Sequence, residues 1–333
     1  MCALKGAQTR CRYSTAKPFD PLPCNVIACA PKPNKQSILL RPYHQAIAVL
    51  VALIWGTNFV VIRIGLDELQ PFTFAALRFF FVAIPLIFFL PRPSNPWRQT
   101  IAYGLLIGCG QFGLLFWAME ANITPGLASL IVQMQIFITI LLAASFYGES
   151  INAKQIAALC VCFAGLAMVA LYTDGTTTLL GLGVVLLAAS SWAAGNLVVK
   201  SAAPSNMLAF IAWSSLFAIP PLVLMAFLLE GFGSISREIS SASWTAWAVV
   251  LWQSIGNTLI GYGLWNMLLG RYPAYAVTPW ALLVPVFGMW ASAVFLDEPM
   301  TWWKLVAMAL IIGGLALNTL AGWQASNAKR QTT

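Results

Sequence analysis

The chain has 333 residues, 60% of them hydrophobic and only 8% charged. Soluble domains carry about 45–50% apolar and about 25% charged residues, so a mean hydropathy of +0.80 excludes a cytoplasmic enzyme, a secreted domain or a disordered regulator and points to a polytopic membrane protein. Of the 18 Lys+Arg, set against 10 Asp+Glu, seven fall in the first 41 residues and the others are scattered singly, a bias expected of cytoplasmic loops rather than of a nucleic-acid surface.

Residues 1–44 mix Pro18, Pro21, Pro23, Pro31, Pro33 and Pro42 with Lys and Arg. They hold no apolar run long enough for a signal-peptide core and read as a disordered cytoplasmic tail. From Gln45 onward the chain becomes a series of apolar runs, each near the roughly 20 residues that a helix needs to cross hydrocarbon. Ten spans are predicted, at 46–66, 72–90, 101–119, 126–146, 153–172, 180–199, 207–228, 245–269, 275–295 and 302–321. Short connections carry turn chemistry, as in Pro91 to Pro96, Thr173-Asp174-Gly175 and Gly231-Phe232-Gly233. Residues 323–333 form a second cytoplasmic tail. The runs are continuous rather than alternating, which excludes a strand barrel.

With the N-terminus inside, the inner loops receive the basic tail, Arg92, Arg98, Lys154, Lys200, Arg271, Lys329 and Arg330, while the outer loops receive only Arg63, Arg237 and Lys304. Both termini are therefore placed in the cytoplasm. Of the seven cysteines, Cys160 and Cys162 lie two apart on a helix and point to different faces. No metal-ligand spacing occurs, and no cofactor is implied.

The chain also resembles itself. Trp55-Gly-Thr-Asn58 to Arg63 looks like Trp192 to Lys200, Pro85 falls opposite Pro220, and Trp117-x7-Pro125-x2-Ala128 lines up with Trp265-x7-Pro273-x2-Ala276. Gly148-Glu149 matches Asp297-Glu298, and Ala164-Gly165-Leu166-Ala167 matches Gly313-Gly314-Leu315-Ala316. Each match alone is weak, but their order is common. Five spans per copy is an odd number, so the second copy enters the membrane upside down. The expected fold is all-α, with ten transmembrane helices as two inverted five-helix repeats, 45–173 and 179–322. Inverted repeats are the architecture of alternating access, with substrate near the midplane between them.

Trp55-Gly56-x-Asn58-Phe59, Leu77-Arg78-Phe79, Gly126 to Gln135, Ser191 to Asn196, Gly261-Tyr262-Gly263-Leu-Trp265 and Leu282 to Val286 resemble the EamA-type drug/metabolite transporters, and within them the branch that exports O-acetylserine and cysteine. The resemblance covers about 45–321. It implies a ten-helix fold in a bacterial inner membrane and export of small amino-acid-like solutes. A drug or other-metabolite exporter is the alternative within the same superfamily. A channel or a membrane-embedded enzyme is the alternative outside it, although no Walker A sequence, His-Glu-x-x-His or Gly-x-Ser-x-Gly is present.

Polar groups inside spans need a partner or a wet cavity. The substrate-cavity candidates are Trp55, Asn58, Arg78, Gln111, Gln133, Gln135, Trp192, Asn196, Asn257, Tyr262 and Trp265. Ser129 and Gln133 share a face, whereas Gln135 points elsewhere. One Gln is expected on the cavity and the other on a neighbouring helix. Asn58 and Asn196 read either as helix glue or as ligands. Arg78 reads either as a fixed cation for a substrate or gate carboxylate, or as a structural or snorkelling side chain, with Glu120 a candidate partner. The eighth span, with Gln253, Asn257, Tyr262, Trp265 and Asn266, is the most polar. Pro85, Pro220, Pro279 and Pro285 are candidate kinks or hinges. Glu120, Glu149 and Glu298 are candidate coupling or gate groups at span ends, where a solvated role is the default. A proton is the candidate coupling ion, and a homodimer the candidate assembly.

Overall fold

Proline and short polar side chains start most of the helices. Pro42, Pro71 and Pro125 occupy first helical turns, where a missing N–H costs nothing. Asn152, Thr178, Asn206 and Ser243 each accept a hydrogen bond from the backbone N–H three residues on, the N-cap arrangement that satisfies an otherwise orphaned donor. The computed structural model describes residues 40–148, 151–172, 177–272 and 274–331, within one compact unit, Ile38–Thr333.

In chain order the helices are α1 (Pro42–Leu66), α2 (Pro71–Ile87), α3 (Trp97–Ala121), α4 (Pro125–Tyr147), α5 (Ala153–Leu171), α6 (Leu179–Ala202), α7 (Met207–Glu230), α8 (Phe232–Ser241), α9 (244–271), α10 (Thr278–Phe295) and α11 (Trp302–Gln331). Among the described residues there is no strand. Eight of these helices, α1, α3 to α7, α10 and α11, are long and apolar enough to cross a membrane. Helix α2 is shorter, and α9 carries Gln253, Ser254, Asn257 and Thr258 in its middle.

Each of the ten predicted segments falls on a helix, but the boundaries and interiors need correction. The first helix begins at Pro42 rather than after residue 44; the rest of the predicted tail, 1–39, lies outside the described residues, as do 149–150 and 173–176. The last helix runs on to Gln331, because Ala325 to Gln331 contains no Gly or Pro to stop it. The connection at Gly231 is not a simple loop. Gly231 breaks α7 at φ 85°, a left-handed conformation that favours glycine, and Phe232, Ile235 and Ile239 then follow at helical spacing in α8. The third predicted span is not regular either, since Leu106–Gly113 is π-helical. The same holds for Trp252–Gly261 in α9 and Ala226–Glu230 in α7.

The N-terminal helices α1 to α5 and the C-terminal helices α6 to α11 interlock rather than forming separate bodies. The main pairings are α1 with α10, α2 with α7, α5 with α11, α4 with α6 and α10, and α3 with α6 and α7. The close crossings use small residues, as helix contacts in lipid do. A Cβ on Gly56 would lie 2.6 Å from Val284 O of α10. The matched segments around Gly165 and Gly314 pack onto each other's helices, against Ile311 and Cys162.

Candidate functional site

Between these helices lies a cavity of about 610 Å³, within the roughly 300–1,000 Å³ range of small-molecule sites. Trp55, Asn58, Gln111, Gln133, Gln135, Trp192, Asn196, Asn257, Tyr262 and Trp265 all line it. The predicted wall residues thus come together from α1, α3, α4, α6 and α9, with the exception of Arg78. Gln155, Thr278, Asn318 and Thr319 also line it and were missed; the Asn318-Thr319 pair interrupting the last apolar run is the signal that could have found two of them.

The wall is chemically divided. Trp55 Nε1 donates to Asn257 O (3.4 Å), and the Trp55 ring lies 5.2 Å from that of Tyr262 and 5.3 Å from that of Trp265. These rings form a continuous aromatic face. Some amides are committed to neighbouring helices: Gln253 Nε2 donates to Asn58 Oδ1 (2.8 Å), and Asn196 Nδ2 donates to Gln135 Oε1 (2.9 Å). Gln133 is a wall residue that bonds no other described side chain, and Gln111 Oε1 is without a partner. A neutral cavity with free amide donors and acceptors suits a zwitterion or another polar neutral solute. Replacing Gln135 and Asn196 by Ala, singly and together, will give a coupling of about 0.6 kcal/mol, the usual size for hydrogen bonds between membrane helices; unfolding of the purified variants measures it.

The cavity runs from the middle of α1, α3 and α9 towards the end of the bundle where α5 and α10 begin, reaching half-buried Gln155 and exposed Gly322. The opposite end is shut. Phe74 of α2, Phe116 and Met119 of α3, and Leu127, Leu130 and Ile131 of α4 are all buried there, with the Phe74 and Phe116 rings 4.8 Å apart.

Carboxylates fasten that shut end across the two halves of the chain. Glu230 accepts from Phe72 N (2.6 Å), Thr73 N (3.1 Å) and Thr73 Oγ1 (2.6 Å) at the start of α2. Glu298 accepts from Thr124 Oγ1 (2.6 Å) and Gly126 N (3.1 Å) at the start of α4. Glu68 accepts from Ser243 N (2.9 Å) and Ser243 Oγ (2.6 Å) at the start of α9. Each places negative charge on the positive end of a helix dipole. The hydrogen bonds from the Ser243 hydroxyl and then its backbone N–H hold the Glu68 carboxyl below its ordinary range. That fastening is therefore present at neutral pH and is lost as pH falls through the lowered value.

The candidate gate groups separate accordingly. Glu298 is not solvated: it is buried and ion-paired with Lys304 at 2.9 Å, and the Lys304 side chain is 0% exposed. Glu120 is exposed at the end of α3 and is not the partner of Arg78. Glu149 lies outside the described residues. Pro85 sits in the last turn of α2, Pro220 and Pro285 sit inside α7 and α10, and Pro279 stands in the 3₁₀ segment Thr278–Leu282, which follows directly on the helical turn Ala274–Val277.

Arg78 lies behind the cavity wall, 1% exposed. Its guanidinium carbon stands 3.5 Å from the centre of the Phe112 ring, and Nη2 donates to Thr258 Oγ1 (3.3 Å). An arginine at mid-span costs about 2.5–3.5 kcal/mol on insertion scales. A desolvated ring contact returns about 2 kcal/mol, so the stacking offsets a large share. Ser254 Oγ donates to Arg78 O (3.0 Å), and Thr258 Oγ1 donates to Gln253 O (3.0 Å). The Ser254 and Arg78 bonds pin the π-helical stretch of α9 to α2, and the Thr258 bond to Gln253 O lies within that stretch.

A multi-pass helical bundle around an amide-lined cavity open at one end is the form of a membrane carrier. The EamA-like transporter family matches residues 45–171 and again 179–320, and the chain belongs to that family. It is 38% identical over 278 residues to a "probable amino-acid metabolite efflux pump" of Salmonella typhimurium, covering 82% of this chain and 93% of that one. It is likewise 38% identical over 279 residues to a protein of the same description from Escherichia coli, with 82% and 93% covered. A "probable terminal-alkyne amino-acid exporter" of Streptantibioticus cattleyicolor is 26% identical over 281 residues, covering 81% and 91%. A solved crystal structure with 19% identity covers 86% of this chain and 99% of its own, at a TM-score of 0.58, a likeness of fold alone.

Proposed function

We propose that the protein is a secondary active transporter of a bacterial inner membrane that exports small amino-acid-like metabolites, related to O-acetylserine and cysteine, by alternating access. The observation that carries this reading is the cavity, open at one end, closed at the other and walled by unpaired amides beside an aromatic face. The names of the two 38% identical relatives support the substrate class. In this reading α1 to α7 and α9 to α11 are ten crossings arranged as two inverted five-helix repeats, 45–173 and 179–322. Both termini are cytoplasmic, so the open mouth at Gln155 and Gly322 lies among the basic loops and faces the cytoplasm. That is the side from which an exporter loads. Release then requires the Phe74–Phe116 plug and the carboxylate fastenings of the opposite end to part.

A cavity of drug-sized volume with three aromatic side chains along one face favours a second reading, export of larger or less selected solutes. Counterflow in proteoliposomes with a panel of amino acids, O-acetylserine and aromatic cations, under imposed pH gradients, separates the two. Saturable flux of O-acetylserine or cysteine is expected; flux of the cations without either would remove the amino-acid reading. Gln133→Ala is expected to lower amino-acid flux about tenfold, the equivalent of about 1.4 kcal/mol, without changing the amount of protein in the membrane. Unchanged flux would show that this amide does not meet the solute.

A further inference from the structure

We infer that a second, small cavity behind the wall is a binding site for one monovalent anionic group, either a carboxylate or a halide ion. The cavity measures about 20 Å³ and is lined by Arg78, Phe112, Ser214, Thr258 and the rings of Tyr103 and Tyr262. It has room for a single small ion, or for the leading oxygen of a carboxylate whose remainder stands at the ring partition shared with the large cavity. Three donors point to its chemistry. Arg78 Nε and Nη1 are buried without a hydrogen-bond partner, and so is Ser214 Oγ. Among the described residues no carboxylate pairs with Arg78: Glu230 and Glu68 are held at helix starts, Glu298 by Lys304, and Glu120 is exposed. A buried cation that meets only the Phe112 and Phe79 rings and one hydroxyl is short of negative charge. A guanidinium with two free N–H edges beside a hydroxyl free to donate carries a surplus of donors, which an anionic acceptor would satisfy.

Phe112 and Tyr262 line both this cavity and the large one. They form the partition between the two, and a carboxylate on a solute in the large cavity reaches Arg78 when these rings swing aside. In that form the inference rests on the amino-acid export reading; in its halide form it does not.

The test uses the full chain purified in detergent. Melting is followed in sodium chloride, sodium acetate and the bulkier sodium isethionate at equal ionic strength, then with O-acetylserine and with its methyl ester. A saturable rise of several degrees in chloride, acetate or O-acetylserine over isethionate is expected. A response to chloride assigns the halide source. A response to acetate and to the free acid, but not to the ester, assigns the solute carboxylate. Arg78→Gln removes the response. Ser214→Val keeps the charge, fills the space and also removes it, which preserves the test if Arg78→Gln fails to fold. Equal melting of the wild-type protein in every salt, or a response that survives Ser214→Val, overturns the site. Flux is scored separately: an anion response without amino-acid flux leaves this site standing and removes the export reading, and flux without an anion response does the reverse.

Discussion

Glu298→Gln will destabilise the protein by about 3–5 kcal/mol, because it strands a fully buried ammonium. Lys304 is 0% exposed and its ion-pair partner is Glu298, at 2.9 Å; the Trp303 ring, at 5.6 Å from Nζ, stands near the outer limit of a cation–π contact and offsets only part of the loss. Lys304→Met will cost less. The carboxylate it leaves behind still accepts from Thr124 Oγ1 and Gly126 N at the start of α4, where the helix dipole favours negative charge. The double variant carries no stranded charge and will recover most of the loss of either single change. Thermal unfolding of the three purified variants checks the order. A Glu298→Gln protein that melts with the wild type would mean that water or another group reaches Lys304 and that the end of the bundle is not sealed there.

Gly104→Val will cost about 3 kcal/mol, the upper part of the range for overpacking. A Cβ at Gly104 would stand 2.2 Å from the backbone O of Ser214, and one at Gly108 2.2 Å from Ala218 Cβ. Gly104 and Gly108 on α3 thus face Ser214 and Ala218 on α7, the first against backbone and the second against the Ala218 methyl. A side chain cannot yield here, since the obstacle at Gly104 is a carbonyl oxygen, and the helices must separate. Gly183→Ala provides the control. Nothing lies within 4 Å of its Cβ position, so the change will be neutral or stabilising by less than about 1 kcal/mol. Equal melting of Gly104→Val and Gly183→Ala in the same detergent would refute the crossing.

The rods and the cavity wall were legible in the residues because both follow from one local rule. Lipid tolerates long apolar runs, and the amides and indoles that interrupt them must turn towards a partner or a wet space. Trp55, Gln133, Asn196 and Asn257 obey it. Arg78 obeys it too, but on α2, a helix that supplies no side chain to the large cavity, and a single sequence carries no sign of which neighbour a buried side chain will meet. The fastenings by Glu68, Glu230 and Glu298 were illegible for the same reason. Each joins a helix start to a carboxylate far away in the chain, and a glutamate at the end of an apolar run looks solvated until the partner helix is in place. The π-helical stretches escaped because their polar and glycine residues read equally well as an ordinary helix of slightly lower propensity.

Two of those stretches occupy equivalent places in the two family segments. When Trp117 is set against Trp265, Gly108 and Gly113 in α3 fall on Gly256 and Gly261 in α9, and both pairs lie within π-helical turns. A π turn is a helix that has absorbed a surplus residue. The same surplus therefore falls at equivalent points of the two family segments, 45–171 and 179–320, so that each segment carries one widened turn beside the large cavity, with Gln111 in the first and Asn257 in the second.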